Sequence, residues 1–127
     1  MGEEVYEKGL GIRREVLGDE YVDRAMQNTD AFSADFQRFV TEYCWGDCWG
    51  RDALPRTTRS LIVLAILATS GRWEEFELHF RGALRNGCTH EELQDALFHV
   101  AVYGGLPAGV SAFRTARSVL AEEQPSA

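Results

Sequence analysis

The chain has 127 residues, 45% hydrophobic and 26% charged, with a formal net charge of −7. That length suits one domain with a real core and is short for a deep two-lobed cleft. The acidic balance excludes a nucleic-acid surface, which needs a basic face, and the longest apolar run, Leu61 to Ala68, falls far short of the ~20 residues of a membrane span.

The acidic opening Met1-Gly2-Glu3-Glu4 does not read as a signal peptide, so a cytoplasmic protein is expected. Glu3 to Leu17 reads as a helix with Val5, Gly9, Ile12 and Val16 inward and Leu10 and Leu17 flanking. Gly9 and Gly11 each cost it about 1 kcal/mol relative to Ala, so packing must hold it. Gly18-Asp19 leads into a short helix through Tyr21, Val22 and Met26. After Asn28-Thr29-Asp30, a helix from Ala31 to about Tyr43 has Phe32, Phe36, Phe39 and Val40 as its apolar side. Cys44 to Pro55, with Trp45, Asp47 and Trp49, reads as an aromatic-walled loop or loose helix end.

Pro55 opens a helix through Thr69 that is apolar nearly all round and therefore expected to be central. Arg56 and Arg59 sit near its start, against the macrodipole, which hints at holding an anion. Gly71 ends it. In the helix from Arg72 to Asn86-Gly87, Phe76, Phe80, Ala83 and Gly87 form a core-facing stripe, bordered by a line of Arg72, Glu75 and His79. Glu77 and Arg81 read as a solvated pair, i,i+4 apart. Thr89-His90-Glu91-Glu92 is a capping box, opening a helix with Leu93, Ala96, Leu97, Val100 and Ala101 inward and His99 and Tyr103 to one side. Gly104-Gly105 breaks it, and Pro107 begins a last helix through Val110, Phe113, Ala116, Val119 and Leu120, followed by a polar tail, 122–127. No strand pattern appears, so one all-α domain over 1–127, of about six to seven helices, is expected.

Three cysteines, Cys44, Cys48 and Cys88, make neither a disulfide framework nor a zinc site, and read as buried small hydrophobes. Six arginines, Arg51, Arg56, Arg59, Arg72, Arg81 and Arg85, crowd the middle third. Their planar forks suit carboxylates, so an anion pocket within an acidic whole is the chemistry they suggest.

Arg56-Thr57-Thr58-Arg59-Ser60-Leu61-Ile62, Glu75-Phe76-Glu77-Leu78-His79, Asn86-Gly87-Cys88-Thr89 and Tyr103-Gly104-Gly105-Leu106-Pro107-Ala108 together resemble the carboxymuconolactone decarboxylase family. Tyr6-Glu7, Arg13-Arg14-Glu15-Val16-Leu17-Gly18 and the Trp45-Gly46-Asp47 stretch resemble it too, so the likeness runs through almost the whole chain. It implies a helical bundle of the alkylhydroperoxidase D-like type, assembled as trimers or hexamers. It also implies cofactor-free, metal-free decarboxylation of a dianionic lactone, 4-carboxymuconolactone, to β-ketoadipate enol-lactone in protocatechuate catabolism. The peroxidase branch carries a CxxC seven and four residues before its His; here those places hold Arg72 and Glu75, so that redox pair is absent. Where the decarboxylase branch often has Glu in the tryptophan stretch, this chain has the shorter Asp47.

On that resemblance His79 is the expected proton donor, with Glu75 bracing it and Arg72 and Arg59 holding carboxylates or the developing oxyanion. Trp45, Asp47 and Trp49 are the expected substrate-binding wall. Two rival readings are a thiol-dependent peroxidase or disulfide reductase using the cysteines, and a non-catalytic oligomeric binder of small ligands on the same scaffold.

Overall fold

Helix α1 (Gly2–Leu17) forms where the apolar spacing predicts, with Gly9, Ile12, Val16 and Leu17 buried. It also buries Arg13, which the apolar pattern did not reveal. The computed structural model describes residues 2–123; of the polar tail expected at 122–127, Glu122 and Glu123 still belong to the last helix and the remainder lies outside the described residues. Among the described residues there are seven α-helices, one π-helix and no strand, so the chain is all-α. It forms two compact units, Met1–Arg56 and Thr57–Ala127.

In the first unit, α1 is followed by α2 (Asp19–Gln27), which Gly18 admits by taking φ 91°. The helix expected from residue 31 begins only at α3 (Ala34–Phe39), because Asp30 captures the chain first: its carboxylate accepts from the backbone N–H groups of Phe32 and Ser33 at 3.1 and 3.0 Å. From Val40 to Cys48 the chain winds as a π-helix capped by Trp49, so of the two expectations for the tryptophan stretch, loop or loose helix end, it takes the helical one. The apolar side anticipated for this region faces outward: Phe32, Phe36 and Phe39 are 98%, 63% and 54% exposed. Phe39 stacks on Tyr43 at 5.1 Å, continuing an open aromatic row.

The second unit is built from α4 (which starts at the unit boundary, Arg56–Thr69), α5 (Trp73–Arg85), α6 (His90–Gly104) and α7 (Leu106–Glu123). Leu64, Phe76, Phe80, Leu97, Ala112 and Val119 form the centre of its core, and α7 packs on both α5 and α6. Gly109 allows the α6–α7 approach, since a Cβ there would meet the Cβ of Ala101 at 2.6 Å. The capping box at α6 is fully made: Thr89 Oγ1 accepts from Glu92 N–H at 3.0 Å, and the Glu92 carboxylate accepts from Thr89 N–H at 2.8 Å. Helix α4 is not enclosed all round as expected, because Ile62 and Ile66 are exposed while Leu64 and Ala68 are buried. Arg81 does not pair with Glu77; its guanidinium reaches Glu122 on α7 instead.

Candidate active site

The core stripe of α5 fixes where its polar line points. Phe76 and Phe80 are buried, with ring centroids 5.9 Å apart, and Trp73 packs edge-on against Phe76 at 5.4 Å. This anchoring leaves His79 at the boundary of the apolar face, half-buried, with its Nδ1 shut off from solvent. Glu75, one turn earlier, and Arg72, the N-cap, are exposed. Gly87, expected on the core stripe, instead lies past the helix end with φ 97° and is exposed.

Burial pushes the His79 imidazole down to about 4, and the Glu75 carboxylate opposes this without overcoming it. The ordering has a physical cause: a half-buried ring loses hydration of its cationic form, while a solvated carboxylate is screened. The ring is therefore neutral at pH 7. In the same unit, Arg59 is buried at the start of α4. There Asn86 Nδ2 donates to Ser60 Oγ at 2.9 Å and Cys88 Sγ donates to the Thr57 carbonyl at 3.4 Å, joining the start of α4 to the end of α5. Arg56 is engaged with Glu15 at 3.1 Å, which accounts for a cation at that helix start without a ligand.

In the first unit, Trp45 and Trp49 are buried and stacked, with centroids 5.0 Å apart, and Asp47 between them is exposed. The π-helix brings the two rings together: Trp49 N–H donates to the Cys44 carbonyl five residues back, at 2.9 Å. Arg72, Glu75 and His79 thus share one helix with Arg59 in the same unit, and Trp45, Asp47 and Trp49 form a second group in the other unit.

The cysteines differ from expectation. Cys88 is buried, but Cys44 is half-buried and Cys48 is exposed, and all three are free thiols. Burial raises the Cys44 thiol, and raises Cys88 to about 11, so neither favours its thiolate. Among the described residues no three His, Cys, Asp or Glu side chains gather as a metal-holding group. No described helix is long and apolar enough to cross a membrane.

The profile of the carboxymuconolactone decarboxylase family matches residues 34–118. The chain belongs to that family. It is 42% identical over 117 residues to 4-carboxymuconolactone decarboxylase of Acinetobacter baylyi, covering 92% of this chain and 87% of the relative. It is 40% identical over 108 residues to nitrosuccinic acid decarboxylase npaB of Metarhizium robertsii, covering 85% and 76%. It is also 40% identical over 42 residues to 4-carboxymuconolactone decarboxylase of Pseudomonas putida, covering 33% of this chain and 88% of the relative. This member of the carboxymuconolactone decarboxylase family is a carboxy-lyase.

Proposed function

We propose that the chain removes CO2 from 4-carboxymuconolactone to give β-ketoadipate enol-lactone in protocatechuate catabolism, with His79 as proton donor and arginines holding the carboxylates. The observation that carries this reading is the 42% identity to the Acinetobacter baylyi enzyme across 92% of the chain.

The reaction needs little from the protein. As CO2 leaves the γ-carbon, its bonding pair moves through the ring double bond to the lactone carbonyl, forming a furanolate-like dienolate. The α-carbon then takes one proton. The carbonyl is itself the electron sink, so the protein supplies placement, charge stabilisation at that oxygen and the proton.

His79 starts neutral because its cation is poorly hydrated. A dianion seated by Arg59 and Arg72 brings negative charge to the ring, raises its basicity and draws a proton onto it; Glu75 acts in the same direction. Loss of CO2 removes one carboxylate, and the imidazolium then gives its proton to the α-carbon and returns to the neutral state that burial favours. We assign Trp45, Asp47 and Trp49 a substrate-binding role, the stacked indoles offering an apolar face that excludes water.

Incubation with the lactone, followed by ultraviolet absorbance, tests the reading: many turnovers per subunit support it, and binding without turnover leaves a carrier. A thiol mechanism through Cys44 or Cys88 is disfavoured by their raised thiols. The 40% identity to the Metarhizium robertsii enzyme favours nitrosuccinate as a second substrate to assay. There the nitro group takes the electron pair that the lactone carbonyl would take.

We also infer one functional domain acting as a cytoplasmic homo-oligomer, a trimer or hexamer. Exposure of Ile66, Phe98, Val102, Tyr103, Leu106 and Val110 supports burial against another copy. So does a cavity of about 510 Å³ lined by Phe98, Leu106, Val110 and Phe113. Sedimentation velocity gives the subunit number, and a monomer at micromolar concentration refutes this part.

A further inference from the structure

We propose that Arg13 is a positioning residue: it fixes how the π-helix is turned against α1 and thereby the seat of the stacked Trp45–Trp49 pair. Only its kinetic consequence rests on reading that pair as the pocket wall.

Arg13 is 5% exposed, yet the acceptors that its Nη1 meets are neutral: Gln37 Oε1 at 3.1 Å and Thr41 Oγ1 at 3.2 Å. Its Nε is buried without an acceptor. The titratable groups that bear on it are Tyr21, Cys44 and Tyr6, with no carboxylate among them. A guanidinium held this way is a poor source of stability, because an apolar side chain of similar volume would fill the space without the desolvation cost. What it supplies is direction. Its donors fix two acceptors at defined positions, Gln37 on α3 and Thr41 one turn later in the π-helix.

The same turn is gripped a second time. A Cβ on Gly9 would lie 2.1 Å from the Thr41 carbonyl oxygen and 2.8 Å from Gly46 N, so α1 and the π-helix cross backbone against backbone. Gly46 is equally tight, with Val5 O at 2.7 Å from its would-be Cβ. Contact of this kind admits no Cβ and so sets the closest approach of the two helices, but it supplies no directional bond to fix how the π-helix is turned about its own axis. The Arg13 bond to Thr41 Oγ1 removes that freedom, and Thr41 Oγ1 in turn donates to the Gln37 carbonyl at 2.9 Å. Trp45 follows Thr41 by four residues and Trp49 follows Trp45 by four, so a rotation of the π-helix at Thr41 would carry both rings away from their present face.

The test uses the full-length protein without ligand. Stacked indoles give a paired near-ultraviolet circular dichroism signal, and Trp73→Phe identifies it by leaving it unchanged. Arg13→Met and, as a milder variant that keeps the guanidinium, Thr41→Val should keep the far-ultraviolet helical spectrum and lose most of this paired signal. With the lactone as substrate, both should raise KM about tenfold while kcat holds, the pattern of a lost binding surface. An unchanged paired signal in both variants overturns the inference, whatever their melting temperatures. Trp45→Phe with an unaltered KM would remove the pocket-wall reading while leaving the Arg13 inference to be decided by the spectra.

Discussion

Acidification from pH 7 to pH 5 should destabilise the protein through His79, and His79→Gln should remove that part of the loss. The folded imidazole titrates at about 4 against an ordinary value of 6.5. Between those values the unfolded chain binds more protons than the folded one, so stability falls as pH falls through this window. The contribution is fully present above pH 6.5 and gone below about pH 4. The whole shift corresponds to about 3 kcal/mol, of which about 2 kcal/mol is lost by pH 5. Other carboxylates titrate in the same range, so the quantity to measure is a difference. Urea unfolding of wild type and His79→Gln at pH 7, 6 and 5, at one protein concentration, should give curves that converge by about 2 kcal/mol on acidification. Parallel curves would mean that the ring is solvated in the folded protein, and the neutral starting state of the mechanism would go with it.

Binding of an unreactive dianionic analogue at pH 6 should draw about one proton from solution per site, because the ligand's charge raises the imidazole; calorimetry in two buffers of different ionisation heat measures it, and zero uptake contradicts the route by which His79 becomes the donor. Gly9→Ala should unfold or grossly weaken the first unit, since the new methyl would meet the backbone of Thr41 and Gly46, neither of which can swing aside; a midpoint within about 0.5 kcal/mol of wild type would refute the backbone crossing. Thr89→Ala breaks the capping box of α6 and should cost about 1 kcal/mol with kcat/KM intact, as read from denaturation and turnover of the same sample.

Much of the second unit was legible because its signals are local. Thr89 and Glu92 mark a helix start by a reciprocal pair of bonds three residues apart, and Phe76, Phe80 and Ala83 mark a buried face by period alone. His79 could be placed beside that face, but the degree to which its cation is dehydrated depends on surrounding packing that no spacing encodes. The first unit was harder. The π-helix depends on Gly46 meeting α1 across a long stretch of sequence, and the pattern of its residues does not distinguish it from a loop carrying two tryptophans. Arg13 was invisible because arginine seldom goes inside, and its acceptors, Gln37 and Thr41, are 24 and 28 residues away. Phe32, Phe36 and Ile66 were assigned to a core by hydrophobicity, yet they face out of this chain. An apolar stripe specifies that something covers it, not whether the cover comes from the same chain.

The central claim is that one imidazole delivers the proton after CO2 has left, and turnover of 4-carboxymuconolactone by His79→Ala tests it most directly. With circular dichroism and oligomer size unchanged, kcat should fall by about 10²–10⁴-fold. A fall of less than about fivefold in that folded variant would show that the proton comes from elsewhere.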